Sequence, residues 1–328
     1  MSKVLVTGAS GFVGSHLCSR LLQEGYRVKA LVRPTSSLVR LKDLDIDLAY
    51  GDLTDSRSLQ SGLKGVEIVF HAGASVGDWV KYDQAQAVNV QGTENLLKAS
   101  LANQVKRFIA VSSLAVLGMK DHYGTREEAP YQKTGDGYCD SKIESEQLIL
   151  EFGRQNNLAV TILRPGFIYG PGDNQLLPRI LETLEKGKFA FIGKGDKILN
   201  IVYIENFVSA AILAARSEKA IGQIYNITDG ARVNRREFIY TIAEVWGLPR
   251  PQKEVPLWLA RALTPILEKV NTITRSKKPP LLNRARMKFM ALNLDFDISK
   301  ARSELGYNPV FNLRQALEET YKRSKPHD

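Results

Sequence analysis

The sequence predicts an α/β fold, a doubly wound parallel sheet with a smaller, mostly helical C-terminal subdomain. Three observations predict it. Short β-branched runs alternate with helical stretches through the first half of the chain, the order produced by a parallel sheet flanked by helices. The runs are close to continuous Val, Ile and Leu, as strands covered on both faces must be. A glycine-rich turn, Gly8-Ala9-Ser10-Gly11-Phe12-Val13-Gly14, joins the first run to the first helix.

Lys3–Thr7 reads as the first strand and residues 13–24 as the helix after it. Arg27–Val32 is the second strand, and Asp47–Tyr50 a short third that ends at Gly51-Asp52. Residues 66–71 and 108–112 make the fourth and fifth strands, with one long helix expected between them over 83–103. A helix over 138–156 leads into a strand over 159–164. Beyond Pro165 the pattern loosens. A helix is expected over 177–186, a short strand running into a helix over 201–215, a strand over 223–228, and helices over 235–246 and 313–322. Residues 325–328 read as a frayed end.

The chain has 328 residues, enough for about two domains. Apolar residues are 44% and charged residues 24%, which excludes collagen, a disulfide scaffold and wholesale disorder. Two cysteines, Cys18 and Cys139, offer no metal-ligand spacing, so a reducing cytosol is the expected compartment. The first eight residues are too short an apolar run for a signal peptide, and no run of about 18 apolar residues is present to span a bilayer. The net charge is +10. Most of the excess falls between Lys253 and Lys288, where nine lysines and arginines stand against Glu254 and Glu268. Single-stranded nucleic-acid binding would want aromatic platforms among those charges, and only Trp258 is there, so no nucleic-acid partner is expected.

The spacing of the turn is Gly-x-x-Gly-x-x-Gly. Glycines at a strand-to-helix turn let phosphate oxygens approach backbone N–H groups at a helix N-terminus, which makes this a candidate dinucleotide cradle. Asp52, followed by Leu53, suits an adenine amino group; the other reading makes Asp52 a helix N-cap. Arg33 follows the second strand, where an acidic residue usually meets the ribose hydroxyls of NAD. An arginine there, with Thr35, Ser36, Ser37 and Arg40 close by, suits a 2′-phosphate, so NADP(H) is favoured over NAD(H).

Tyr138 and Lys142 stand four residues apart, on one face of a predicted helix. A free tyrosine has a pKa near 10. A neighbouring ammonium is expected to bring the phenol nearer its working range. Ser112-Ser113 ends the fifth strand, at the sheet edge where a doubly wound fold binds ligands. A serine there would hold a substrate oxygen while Tyr138 exchanges its proton.

These residues, in this order, resemble the extended short-chain dehydrogenase/reductase superfamily, the NAD-dependent epimerase/dehydratase-like Rossmann proteins. The likeness runs from Thr7-Gly8 through Gly51-Asp52-Leu53, His71-Ala72-Gly73-Ala74 and Asn89-Val90-Gln91-Gly92-Thr93. It continues through Ser112-Ser113, Tyr138-x-x-x-Lys142 and Arg164-Pro165-Gly166 to Leu305-Gly306-Tyr307-Asn308-Pro309, nearly the whole chain. The resemblance implies that Ser113, Tyr138 and Lys142 are catalytic and that Asn89 supports them. It implies a cofactor held by Gly8, Ser10, Gly11, Phe12, Val13 and Gly14, with Ala72, Gly73, Ala74, Pro165 and Gly166 around the nicotinamide. Residues 1–165 with 201–228 would form the NAD(P)-binding domain, and 166–200 with 229–328 the substrate-binding part. A homodimer through helices 83–103 and 138–156 would also follow.

Departures narrow the branch. Nucleotide-sugar dehydratases usually carry an acidic pair after the catalytic hydroxyl, where this chain has Leu114-Ala115. Sugar epimerases usually place an arginine for the diphosphate where this chain has Leu199. The remaining likeness is to the 3β-hydroxysteroid dehydrogenase and dihydroflavonol reductase-like branch, supported by residues 77–82 and 278–282. The expected activity is interconversion of a secondary alcohol and a ketone on a bulky apolar substrate, a nucleotide-sugar epimerase being the alternative. Residues 255–267 form an apolar run followed by cations up to residue 288. That composition fits either a lid over the substrate or peripheral contact with an anionic membrane surface.

Overall fold

The computed structural model describes residues 2–77, 80–273 and 290–324. The elements of the first half run β1 (Lys3–Thr7), α1 (Phe12–Gln23), β2 (Arg27–Val32), β3 (Asp47–Tyr50), α2 (Ser56–Gly62) and β4 (Ile68–His71). A continuous helical stretch follows, built of α3 (Tyr82–Ala85), a π-helical turn (Gln86–Gln91) and α4 (Gly92–Ala102). Next come β5 (Arg107–Val111), β6 (His122–Thr125), α5 (Gly137–Asn156) and β7 (Ala159–Pro165). The second half holds β8 (Phe167–Tyr169), α6 (Leu177–Glu185), β9 (Phe191–Ile192), β10 (Ile201–Tyr203), α7 (Ile204–Arg216) and β11 (Gln223–Ile227). It ends with α8 (Arg235–Val245), β12 (Glu254–Val255), α9 (Leu257–Ile273), β13 (Leu294–Phe296), α10 (Ser299–Leu305) and α11 (Leu313–Ser324).

Seven strands pair in parallel in the order β11-β7-β5-β4-β1-β2-β3. The chain winds outward from β1 through β2 and β3, then crosses to β4 on the other side. That reversal opens a crevice at the carboxyl ends of β1 and β4. The register is level there: Thr7 pairs with His71, His71 with Ala110, and Val111 with Leu163. Strand alternation sends Val4 and Val6 into the core cluster that also holds Leu17 and Leu21 of α1 and Phe207 and Ala211 of α7. Leu5 points the other way, into a cluster with Leu59 of α2, Leu96 and Leu97 of α4 and Ile149 of α5. The sheet is thus covered on both faces, which the Val/Ile/Leu runs required.

The predicted doubly wound sheet is present, and most of the expected elements shift by only a residue or two. The helix expected over 83–103 is broken by its π-helical turn, and such turns mark functional positions more often than ordinary helix does. Three two-stranded pairs, β8 with β10, β9 with β12 and β6 with β13, escaped the sequence. The predicted frayed end at 325–328, the cationic stretch 274–289 with its 278–282 motif, and positions 78 and 79 of the 77–82 motif lie outside the described residues. No helix among the described residues is long and apolar enough to cross a membrane.

Candidate active site

At Gly8 and Gly14 the glycine turn leaves no room for a side chain. A Cβ on Gly14 would lie 2.1 Å from the Gly8 carbonyl oxygen, and one on Gly8 would meet Gly73 Cα at 2.8 Å. Gly8 also sits at φ +65, a conformation that favours glycine. Gly11 is the N-cap of α1 and supplies no side-chain hydrogen bond to its first turn, which carries no acidic residue. Uncapped N–H groups at a helix start, with a glycine surface in front of them, fit the pyrophosphate of a dinucleotide. Ser10, Phe12 and Val13 complete the turn, and Leu53 approaches Gly73, its Cδ1 standing 3.2 Å from where a Cβ there would lie.

Behind the turn runs a buried hydrogen-bond chain that the sequence reading missed. The Gly73 N–H donates to Thr7 Oγ1 at 3.0 Å, and Thr7 Oγ1 lies 2.8 Å from His71 Nδ1. His71 Nε2 lies 2.9 Å from Thr93 Oγ1, which donates to the Asn89 carbonyl at 2.7 Å. Since the Thr93 hydroxyl proton goes to that carbonyl, the network assigns the histidine proton to Nε2 and leaves Nδ1 to accept from Thr7. A neutral His71 is required. Burial, and then the charge of Lys142, push its pKa down to about 3. Asn89, on the π-helical turn, accepts from the Ser75 N–H at 2.7 Å and donates to the Ser75 carbonyl at 3.1 Å and to Ser141 Oγ at 3.0 Å. It therefore ties the loop carrying Ala72, Gly73 and Ala74 to α5.

Ser113 lies two residues beyond the end of β5, and its Oγ accepts from the Ala115 N–H at 3.2 Å. The Tyr138 phenol lies close enough to Ser113 for that hydroxyl to favour the phenolate. Lys142, one turn along α5, donates from Nζ to the Val111 carbonyl at 2.6 Å. Tyr138 and Lys142 do share the expected helix face, but the expected effect on the phenol is reversed. Burial pushes Tyr138 up to about 12, opposed by the Ser113 hydroxyl. The ammonium is engaged on Val111, and burial pushes Lys142 down to about 8 against the pull of the Glu146 charge.

Arg33 is exposed at the carboxyl end of β2. The Thr54 N–H, then the Thr54 hydroxyl and the Arg33 charge, hold Asp52 below the usual carboxylate range against its burial. Asp52 is not a helix cap: Asp55 caps α2 by accepting from the Arg57 N–H, while Asp52 makes its own turn with Thr54 at 2.9 Å. Arg40 does not join Arg33. Its Nη2 donates to the Gly172 carbonyl at 2.7 Å, which takes it to the loop after β8. Gly166 packs on Asn200, whose carbonyl oxygen would lie 1.8 Å from a Cβ there. Leu199, where an epimerase-type arginine would stand, is buried in the core. Cys18 and Cys139 are both buried and unbridged.

Comparison with known proteins identifies the family. The family model described as NAD dependent epimerase/dehydratase matches residues 4–228. A 2-alkyl-3-oxoalkanoate reductase of Stenotrophomonas maltophilia is 31% identical over 96% of this chain and 97% of its own. A 3 beta-hydroxysteroid dehydrogenase/Delta 5-->4-isomerase of Mycobacterium tuberculosis is 32% identical over 97% of this chain and 89% of its own. Among solved structures, gox2253 superposes with a TM-score of 0.80 at 30% identity, covering 98% of both chains. The UDP-glucose 4-epimerase of Thermotoga maritima gives a TM-score of 0.77 over 98% of both chains, but at 22% identity it shares the fold alone. The chain belongs to the NAD-dependent epimerase/dehydratase family. Within it, the chain is a dehydrogenase/reductase of the extended short-chain type that uses a nicotinamide dinucleotide.

Proposed function

We propose that the protein reduces a ketone on a bulky, apolar, β-keto-acid- or sterol-like substrate, with NADP(H) preferred to NAD(H). One observation carries the reading: Lys142, buried one turn along α5 from Tyr138, donates to the Val111 carbonyl and so holds that helix face against the strand end that leads to Ser113. When bound, the reduced nicotinamide supplies a hydride to the carbonyl carbon. Ser113 holds the substrate oxygen, and Tyr138 donates the proton that neutralises it. A phenol raised to about 12 by burial stays protonated at neutral pH, as a proton donor for reduction must. Lys142 would supply positive charge to the phenolate left behind. The buried leucine at position 199 offers nothing to a diphosphate and supports an apolar substrate over a nucleotide-sugar. The exposed Arg33 supports a 2′-phosphate.

The test is a titration with NADPH and with NADH, in the wild type and in Arg33→Asp, coupled to reduction of a 2-alkyl-3-oxo acid and a 3-ketosteroid. Tighter NADPH binding that Arg33→Asp reverses, with turnover lost in Tyr138→Phe by about 100-fold or more, is the expected result. Wild-type preference for NADH removes the NADP(H) assignment. Conversion of UDP-sugars without added cofactor removes the ketone.

A further inference from the structure

Lys142 is followed four residues later by Glu146, again on the inner face of α5. Glu146 is 1% exposed, and the proposed chemistry has no use for it. Its carboxylate is fully engaged. Arg164 Nε reaches Oε1 at 3.1 Å and Oε2 at 3.0 Å, and Arg164 Nη2 reaches Oε2 at 2.7 Å. Tyr131 donates its hydroxyl to Oε2 at 2.9 Å, and Ser112 donates its own to Oε1. Arg164 is held in turn, donating from Nη1 to the Glu127 carbonyl at 3.0 Å.

The end of β5 is therefore gripped residue by residue. Val111 is held through its carbonyl by Lys142 and Ser112 through its hydroxyl by Glu146, while Ser113 lies near the Tyr138 phenol. Tyr138, Lys142 and Glu146 stand at successive turns of one helix, each about 6 Å from the next along its axis. The Glu146 grip is anchored further, because Arg164 belongs to β7 and the Ser112 N–H donates to the Leu163 carbonyl of the same strand at 2.7 Å. A slide of α5 against β5 would shift the phenol and the ammonium relative to the Ser113 hydroxyl. Glu146 joins α5, β5 and β7 at one point and blocks that slide.

We infer that Glu146 is a positioning residue for the reaction, acting through Ser112 on the Ser113 hydroxyl and through its charge on Lys142. The inference rests on the Ser113–Tyr138–Lys142 reading above. The charged groups packed around it are Lys142 on its own helix and Arg164 on β7, with the Tyr131 hydroxyl from the loop before α5.

Ser112→Ala removes the grip while leaving Glu146 paired with Arg164, so the fold is expected to stand. Its kcat for the ketone substrate should fall about 10-fold to 100-fold, the range that follows when a reacting group is misplaced by about 1 Å. Cofactor affinity should be unchanged, and Ser112→Thr should recover the rate. Glu146→Gln keeps the shape and removes the charge. Because that charge raises the Lys142 pKa, its loss should move the alkaline limb of the kcat profile to lower pH. A folded Ser112→Ala with wild-type kcat overturns the inference, whatever Glu146→Gln does. If Ser113→Ala and Tyr138→Phe are also fully active, the functional reading has failed. If those two are inactive while Ser112→Ala is not, only the positioning role has failed.

Discussion

Replacing Gly14 with alanine places a methyl carbon 2.1 Å from the Gly8 carbonyl oxygen, 2.6 Å from its carbon and 2.7 Å from Ala9 Cα. Unstrained heavy-atom contacts lie near ~3.5 Å, so α1 and the turn must part by about 1 Å. All of the close atoms are backbone and cannot swing away. Overpacking of this kind costs about 1–3 kcal/mol, a drop of several degrees in Tm. Gly11 makes the informative partner. It is exposed, has φ −82 that any residue adopts, and a Cβ there stands 3.1 Å from the Gly8 oxygen. Gly11→Ala needs a shift of only a few tenths of an ångström and should therefore melt much closer to the wild type than Gly14→Ala does. If phosphate oxygens come up to the first N–H groups of α1, its methyl occupies their approach. NADPH binding should weaken at least about tenfold, or ~1.4 kcal/mol. Fluorescence titration of NADPH and thermal melts of both variants separate the two effects. Wild-type affinity in a stable Gly11→Ala would refute the cradle.

Arg164→Met leaves the Glu146 carboxylate buried without its cation and should cost ~3–5 kcal/mol in urea unfolding, whereas replacing both by apolar residues of similar volume should cost far less. Acidification acts through two buried groups of opposite sign. His71, pushed down to about 3 by burial and then by the Lys142 charge, binds its proton only when unfolded between its ordinary and folded values, so stability falls as pH drops from about 6.5 toward 3. Asp229, raised to about 6 by burial, takes up a proton first in the folded state and opposes that loss between about 6 and 3.8. Asp229→Asn should therefore lose more stability between pH 7 and pH 5 than the wild type, measured by denaturant midpoints. The described part of α9 buries Ala260 and Thr264 and leaves Trp258 71% exposed. With the cationic sequence beyond it, this supports contact with an anionic surface. Vesicles containing anionic lipid should retain the protein at low salt and release it at high salt, and deletion of 255–275 should abolish retention. No retention at low salt removes the membrane contact.

What the sequence determined about this protein lies within a few residues of itself. The Val/Ile/Leu runs specified strands buried on both faces, and glycine spacing specified a turn where the backbone must come close. The interval between Tyr138 and Lys142 placed them on one helix face, because helical geometry is local. The pairing of Thr7 with His71 and of Val111 with Leu163 depends instead on which strands the crossovers bring together. Only the tertiary structure could therefore decide that Lys142 donates to Val111, that Asp55 and not Asp52 caps α2, and that Arg40 reaches Gly172 instead of joining Arg33. β6 and β13, of four and three residues and lacking a Val/Ile/Leu run, gave no signal of their own. The direction of the Tyr138 shift was equally out of reach: it is a contest between a neighbour's charge and desolvation, and desolvation exists only once the remote segments have closed over the phenol.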